Sequence, residues 1–145
     1  YKIKKLHNFR IKEIYISSSK KNCFRGFHFQ IPPYAVDKIV TCSKGEALDI
    51  VIDLRKKSKN FGKLKYYKLD SINKSLFIPK GFAHGFISLS NNSELIYLTN
   101  NVYSKIHDKG VHFSILNLLS KKIKKLKISN RDKKLPKIFE FKNPF

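Results

Sequence analysis

Residues 46–54, Glu-Ala-Leu-Asp-Ile-Val-Ile-Asp-Leu, alternate with a period of two. Leu48, Ile50, Ile52 and Leu54 point one way; Asp49, Val51 and Asp53 point the other. That is the pattern of a β-strand with one apolar face. Gly45 before it and Arg55–Lys59 after it read as turns. Further short strands are expected at 37–42, 64–69, 75–79, 83–89 and 94–100, separated by Pro32–Pro33, the Asn60–Gly62 region, Pro79–Gly81 and Ser90–Ser93. Short strands punctuated by turns at near-regular spacing predict an all-β chain: a sandwich, jelly roll or barrel. The 12 Phe and 7 Tyr point the same way, since aromatic side chains suit strands. Helical periodicity is nearly absent up to residue 110. Later, Ile115, Leu118, Leu119, Ile123 and Leu126 fall at helix-like spacing, so a short amphipathic helix is expected there. The tail, with Pro136 and Pro144, is expected to lie irregularly over the surface.

No repeat, Gly/Ser linker or low-complexity block divides the sequence, and 145 residues suit one domain, 1–145, with a continuous core. The one bulk outlier is charge: 31 Lys and Arg against 10 Asp and Glu give +21. Such a field attracts polyanions and also suits an enzyme for a nucleotide diphosphate. The lysines are spread along the chain, and the densest run, Lys121 to Lys127, has no arginine or aromatic ladder on which bases could stack. Solvated faces therefore account for them, and no nucleic-acid partner is expected. Cys23 and Cys42 are too few for a disulfide framework and have no metal-type spacing, so two buried, reduced thiols are expected. No apolar stretch has signal-peptide or membrane-span length, which predicts a cytoplasmic protein with no membrane partner. The chain starts on Tyr and has no Met, so loss of at least the initiator is expected.

Three stretches carry candidate chemistry: Arg25-Gly-Phe-His28-Phe-Gln30, Pro79-Lys-Gly-Phe-Ala-His84-Gly-Phe86, and Glu94-Leu-Ile-Tyr97. Each has a plain structural explanation, as a surface arginine, core histidines bonded to backbone, or an interior tyrosine with a satisfied hydroxyl. Together they point elsewhere. Alternate residues of a barrel strand face the lumen, which groups His84 with Phe86 and Ser88, and Tyr97 with Leu95 and Thr99. A lumen holding His84, Tyr97, Arg25 and Lys38 is too polar to be packing alone, because unpaired buried polar groups are costly. It is expected to hold a polar ligand.

With these motifs in order, the sequence resembles the dTDP-4-dehydrorhamnose 3,5-epimerase family, sugar-nucleotide enzymes of the cupin fold. The resemblance runs from about Ser17 to Leu135. It rests on Arg25-Gly-Phe-His-Phe-Gln-Ile-Pro-Pro33, Lys38-Ile-Val40, Gly45 to Arg55, Ser58 with Phe61-Gly62, Ile78 to Phe86, Tyr97, Tyr103-Ser104 and Ser129-Asn-Arg-Asp132. It implies a cupin, or double-stranded β-helix jelly roll, and a homodimer. It also implies an isomerase that inverts carbon 3, carbon 5 or both of a nucleotide-linked 4-keto-6-deoxy sugar. A ketone at carbon 4 acidifies the hydrogens on carbons 3 and 5. Inversion then needs a base on one face of the ring, an acid on the other and a group to stabilise the enolate.

By the same resemblance His28 is the base, Asp132 the carboxylate that orients it and Tyr97 the acid. Lys38 and Arg25 are the cations flanking the sugar and enolate oxygen, His84 a substrate hydrogen-bonding histidine, and Tyr103 a tyrosine near the pyranose; Gln30 completes the substrate-binding set. A histidine titrates near neutrality, which suits a base. Metal-binding cupins use two histidines two apart with a glutamate and a later histidine. Here Gln30 follows His28 and no acidic residue comes before Asp37, so neither a metal nor another cofactor is expected.

The chain departs from the family in two places. Residues 1–16 lack the Arg-Gly-Phe-Phe-type motif that helps hold the nucleotide, and Glu13-Ile-Tyr-Ile16 stands where Gln-Asp-Asn-His is common. A lysine-rich stretch at 120–127 stands in place of a tryptophan-containing segment. The alternatives are a cupin 3,4-ketoisomerase, in which Tyr97 would be superfluous, and a basic polyanion-binding module indifferent to His28.

Overall fold

In a computed structural model describing residues 8–70, 74–118, 126–141 and 143–145, the chain is built almost wholly of strands. These are β1 (Glu13–Ser19), β2 (Cys23–Gln30), β3 (Lys38–Lys44), β4 (Ala47–Asp53), β5 (Leu64–Leu69), β6 (Ser75–Ile78), β7 (Phe82–Ser88), β8 (Ser93–Thr99), β9 (Asp108–Gly110) and β10 (Lys127–Ile128). Every expected strand is present, 64–69 at the bounds expected and the others with ends shifted by at most two residues; β1, β2, β9 and β10 are additional. The strands form a four-stranded sheet in the order β1-β8-β3-β6 and a six-stranded sheet in the order β10-β2-β7-β4-β5, with β9 beside β2. From β1 to β4, and again from β6 to β8, the chain steps from one sheet to the other at each strand. The result is a cupin jelly roll.

The space between the sheets holds Val40, Cys42, Ala47, Val51, Leu69, Ile78, Phe86, Leu95 and Tyr97. The alternation of β4 has an unexpected outcome. Ile50 and Ile52 face away from the opposing sheet, packing with Phe24, Phe27, Phe29, Ala83, Val111 and Leu116. The face carrying Asp49, Val51 and Asp53 is the one turned between the sheets, and it too is buried. The strand is therefore buried on both sides. Asp53 tolerates this because Arg55 and Ser58 bond its carboxylate, Arg55 Nη2 at 2.7 Å and Ser58 Oγ at 2.7 Å. Burial alone would raise this carboxyl; those bonds outweigh it and hold it at about 2.

The C-terminal residues correct the expectation of a surface tail. They are irregular, but Ile138 is 9% exposed and joins the outer cluster, where Phe141 and Phe145 also pack. Both phenylalanine rings meet Phe29, at 5.4 and 5.9 Å between centroids. The expected amphipathic helix is a 3₁₀ turn, Phe113–Leu118, as far as it is described; residues 119–125 lie outside the described residues, with most of the Lys121–Lys127 run. Leu116 from that turn is buried in the same cluster. Cys42 is buried as expected, whereas Cys23 is only half-buried, and both are free.

Candidate active site

Strand β2 pairs with β7 through Arg25↔Phe86 and then His28↔His84, so β2 carries one extra residue between the two registered pairs. Strict alternation would turn Arg25 and His28 to opposite faces. The bulge brings both to the same cavity. Glycine makes it feasible: Gly26 has φ +135°, and a Cβ there would lie 2.5 Å from Gly85 Cα on β7. The two glycines let the backbones approach at the point where the side chains are re-aimed.

The cavity, about 680 Å³, is lined by Arg25, His28, Lys38, His84, Tyr97 and Asp132, among others. His28 Nε2 lies 2.8 Å from Asp132 Oδ1, although the two residues are 104 apart in the chain. Asp132 opens the short 3₁₀ turn Asp132–Lys134, and its second oxygen accepts the Gly26 N–H at 3.3 Å. The stretch Ser129–Asp132 is thus a turn, with its carboxylate buried at 2% exposure. Burial would raise this carboxyl, but the bond to and charge of His28, together with the Gly26 N–H, outweigh it and hold the pKa below the ordinary range. An ionised carboxylate on Nε2 takes the N–H, which leaves Nδ1 as the nitrogen free to accept a proton.

A second, buried pair faces it from β7 and β4: His84 Nε2 lies 2.8 Å from Asp49 Oδ2. Asp49 Oδ1 has no hydrogen-bond partner among the described residues. The pairing was not foreseen, although Asp49 sharing a strand face with Val51 was the available signal.

Tyr97, on β8, is 4% exposed. No hydrogen bond to its hydroxyl is seen among the described residues. Burial, reinforced by the nearby Asp49 carboxylate, keeps the phenol protonated far into the alkaline range. Lys38, from the start of β3, is 8% exposed. Burial lowers its ammonium to about 8, against the opposing pull of Asp108 and Asp49. Arg25 sits at the rim, donating through Nε to Ser19 Oγ at 2.8 Å and through Nη2 to Ser18 O at 3.1 Å.

A smaller compartment of about 300 Å³ continues the cleft, sharing Tyr15, His28, Lys38 and Arg131 with the larger one. Here Tyr103, 55% exposed, donates its hydroxyl to Asp108 Oδ2 at 3.1 Å, and Arg131 pairs with the same carboxylate. Gln30 also lines it, but its amide is engaged by the scaffold. Nε2 donates to Tyr34 O at 3.0 Å and Val102 O at 3.1 Å, while Oε1 accepts the Ser104 N–H at 2.6 Å. Gln30 therefore fixes the loops around Tyr103. Arg131 and Asp108 were not singled out from sequence; a charged residue beside an expected carboxylate was the only hint for the first. No group of three or more His, Cys, Asp or Glu suited to a metal occurs among the described residues.

The arrangement can abstract a proton at His28, offer one from Tyr97 and stabilise an oxyanion with Lys38 and Arg25. Known proteins agree in sequence and shape. The family model described as dTDP-4-dehydrorhamnose 3,5-epimerase matches residues 1–140. The dTDP-4-dehydrorhamnose 3,5-epimerase of Shigella flexneri is 48% identical over 99 residues, which are 68% of this chain and 55% of that protein. The chain thus spans about half the length of that relative. The crystal structure of the enzyme of that name from Sulfolobus tokodaii superposes with a TM-score of 0.82 at 36% identity, covering 90% of this chain and 73% of that one. A Legionella pneumophila 3,5-epimerase structure in complex with dTDP-4-keto-L-rhamnose gives a TM-score of 0.79 at 28% identity, covering 91% of this chain and 71% of that one. From its bulged β2 strand to the Ser129–Asp132 turn, this chain belongs to the dTDP-4-dehydrorhamnose 3,5-epimerase family.

Proposed function

We propose that the chain is an epimerase for a nucleotide-linked 4-keto-6-deoxy sugar, inverting carbon 3, carbon 5 or both. The observation that carries this reading is the His28–Asp132 pair opening into the same cavity as Tyr97. His28 Nδ1 takes a proton from the carbon beside the ketone, and the electrons move onto the carbonyl oxygen. Lys38 and Arg25 stabilise the resulting enolate. Tyr97 then delivers its hydroxyl proton to the opposite face of the same carbon, and water reprotonates the phenolate. Asp132 supports the charge that His28 gains. His84, held by Asp49, hydrogen-bonds the sugar, and Tyr103 stands near the pyranose. A cavity of about 680 Å³ is of the size that takes such a ligand.

Incubation with a dTDP-linked 4-keto-6-deoxyhexose in deuterated water tests the reading. Deuterium at carbon 3, carbon 5 or both, with inversion, is expected, and its position counts the centres inverted. Deuterium at neither carbon refutes it. A 3,4-ketoisomerase would keep its turnover in Tyr97→Phe, whereas this mechanism predicts loss of inversion.

The same reading includes a homodimer. The outer face of the four-stranded sheet carries a cross-strand row Ile14–Leu98–Ile39–Phe77, with Ile16 and Ile96 in the next row. Ile14 and Ile16 are 61% and 63% exposed in the single chain. A second copy would cover them. A nucleotide-linked substrate and two free cysteines fit a cytoplasmic setting; no helix among the described residues is long and apolar enough to cross a membrane.

A further inference from the structure

Tyr15 stands at a position none of the site roles above uses. On β1 it is the registered partner of Tyr97 on β8. The two rings are stacked nearly parallel, 4.6 Å between centroids and 6° between planes. His84 also meets the Tyr97 ring, edge-on, at 5.8 Å and 65°. The proton donor thus contacts one aromatic face and one tilted aromatic ring, while no protein group among the described residues holds its hydroxyl.

Tyr15 is not a core residue. It is 41% exposed, and it lines both compartments of the cleft. A stacked cross-strand pair fixes ring orientation more strictly than aliphatic packing, because both flat faces must stay in register. The contact with Tyr15 therefore constrains the plane of the Tyr97 ring, and so the direction of its hydroxyl.

We propose that Tyr15 is the positioning residue for proton delivery: its ring holds the Tyr97 phenol at the angle from which it reaches the far face of the sugar. The inference rests on the epimerase reading and adds to it a residue that touches the acid, not the reacting carbon. It predicts a split in the chemistry. His28 still removes the carbon-bound proton when Tyr15 is changed, and it can return a deuteron from solvent to the same face. Delivery to the opposite face is what fails.

The test compares wild type with Tyr15→Phe, Tyr15→Leu and Tyr15→Val on a dTDP-linked 4-keto-6-deoxyhexose in deuterated water. It measures deuterium incorporated with retention separately from deuterium incorporated with inversion. The Phe variant keeps the stacked ring and is expected to keep inversion within about twofold of wild type. The Leu and Val variants are expected to lose inversion by about ten- to 100-fold while exchange with retention persists, the scale of a misplaced reacting group. An unchanged ratio of inversion to exchange in Leu or Val overturns the proposal, as does a Phe variant as impaired as they are. Thermal unfolding identifies a variant that does not fold. If Leu does not, Val, whose branched side chain suits a strand, supplies the comparison; if neither folds, a Phe variant with impaired inversion still refutes the proposal and one with retained inversion supports it. Wild-type protein that incorporates no deuterium overturns the epimerase reading itself, and this inference with it.

Discussion

At the residue scale, the site is organised by which charges are buried and what faces them. Lys38 is the clearest case, because its ammonium loses its proton at about 8, well below the ordinary lysine value of 10.5. If the enolate is stabilised by that ammonium, turnover falls as pH rises through about 8, and Lys38→Arg shifts this alkaline limb upward, read from a pH–rate profile. The stability consequence has the opposite sense. A lysine whose folded pKa is depressed binds fewer protons than the unfolded chain between the two values, so stability rises with pH from about 8 towards 10.5. Asp132 behaves in the ordinary carboxylate direction: its lowered pKa adds stability above the unfolded value, which is lost as pH falls through the folded one. Denaturant midpoints across pH separate the two.

At the element scale, the bulge in β2 determines what the cavity contains. Gly26→Ala forces a Cβ to 2.5 Å from Gly85 Cα at φ +135°, with His84 O at 3.0 Å. Such a substitution should destabilise the protein by about 2 kcal/mol or more, measured by urea unfolding, and should disturb Arg25 and His28 together. This element also marks the limit of what could be read from the sequence. His84 and Tyr97 were legible from parity, because β7 and β8 alternate regularly. Arg25 and His28, three apart, were not: periodicity places them on opposite faces, and only the bulge reverses that. Asp132 was assigned through resemblance alone, since spacing along the chain carries no information about a contact made across 104 residues. The apolar face of β4 was legible, but not that Ile138, Phe141 and Phe145 help to cover it, because that C-terminal stretch has no helical or strand period. Asp49 and Tyr15 were missed for a related reason: each acts through a neighbour on another strand.

At the scale of the whole molecule, the four-stranded sheet and the charge set how the protein meets others. A second copy on the Ile14 and Ile16 face predicts a dimer by sedimentation equilibrium. The double substitution Ile14→Lys, Ile16→Lys should shift it to monomer, since like charges cannot be buried there without partners; a wild-type monomer at micromolar concentration refutes the arrangement. The excess of 31 basic over 10 acidic side chains is spread along the whole chain. Four of these cations, Arg25, Lys38, Lys127 and Arg131, line the larger cavity and give it a positive field.

The union of His28 with Asp132 has a consequence for how the molecule comes into being. The histidine is drawn from β2 and its carboxylate from a turn 104 residues further on, just before the stretch that seals the outer side of β4. A nascent chain stopped before residue 132 would have the barrel strands and the phenol, yet its imidazole would have no anion to orient it. Competence for chemistry thus waits on the synthesis of residue 132, long after the imidazole itself has been made.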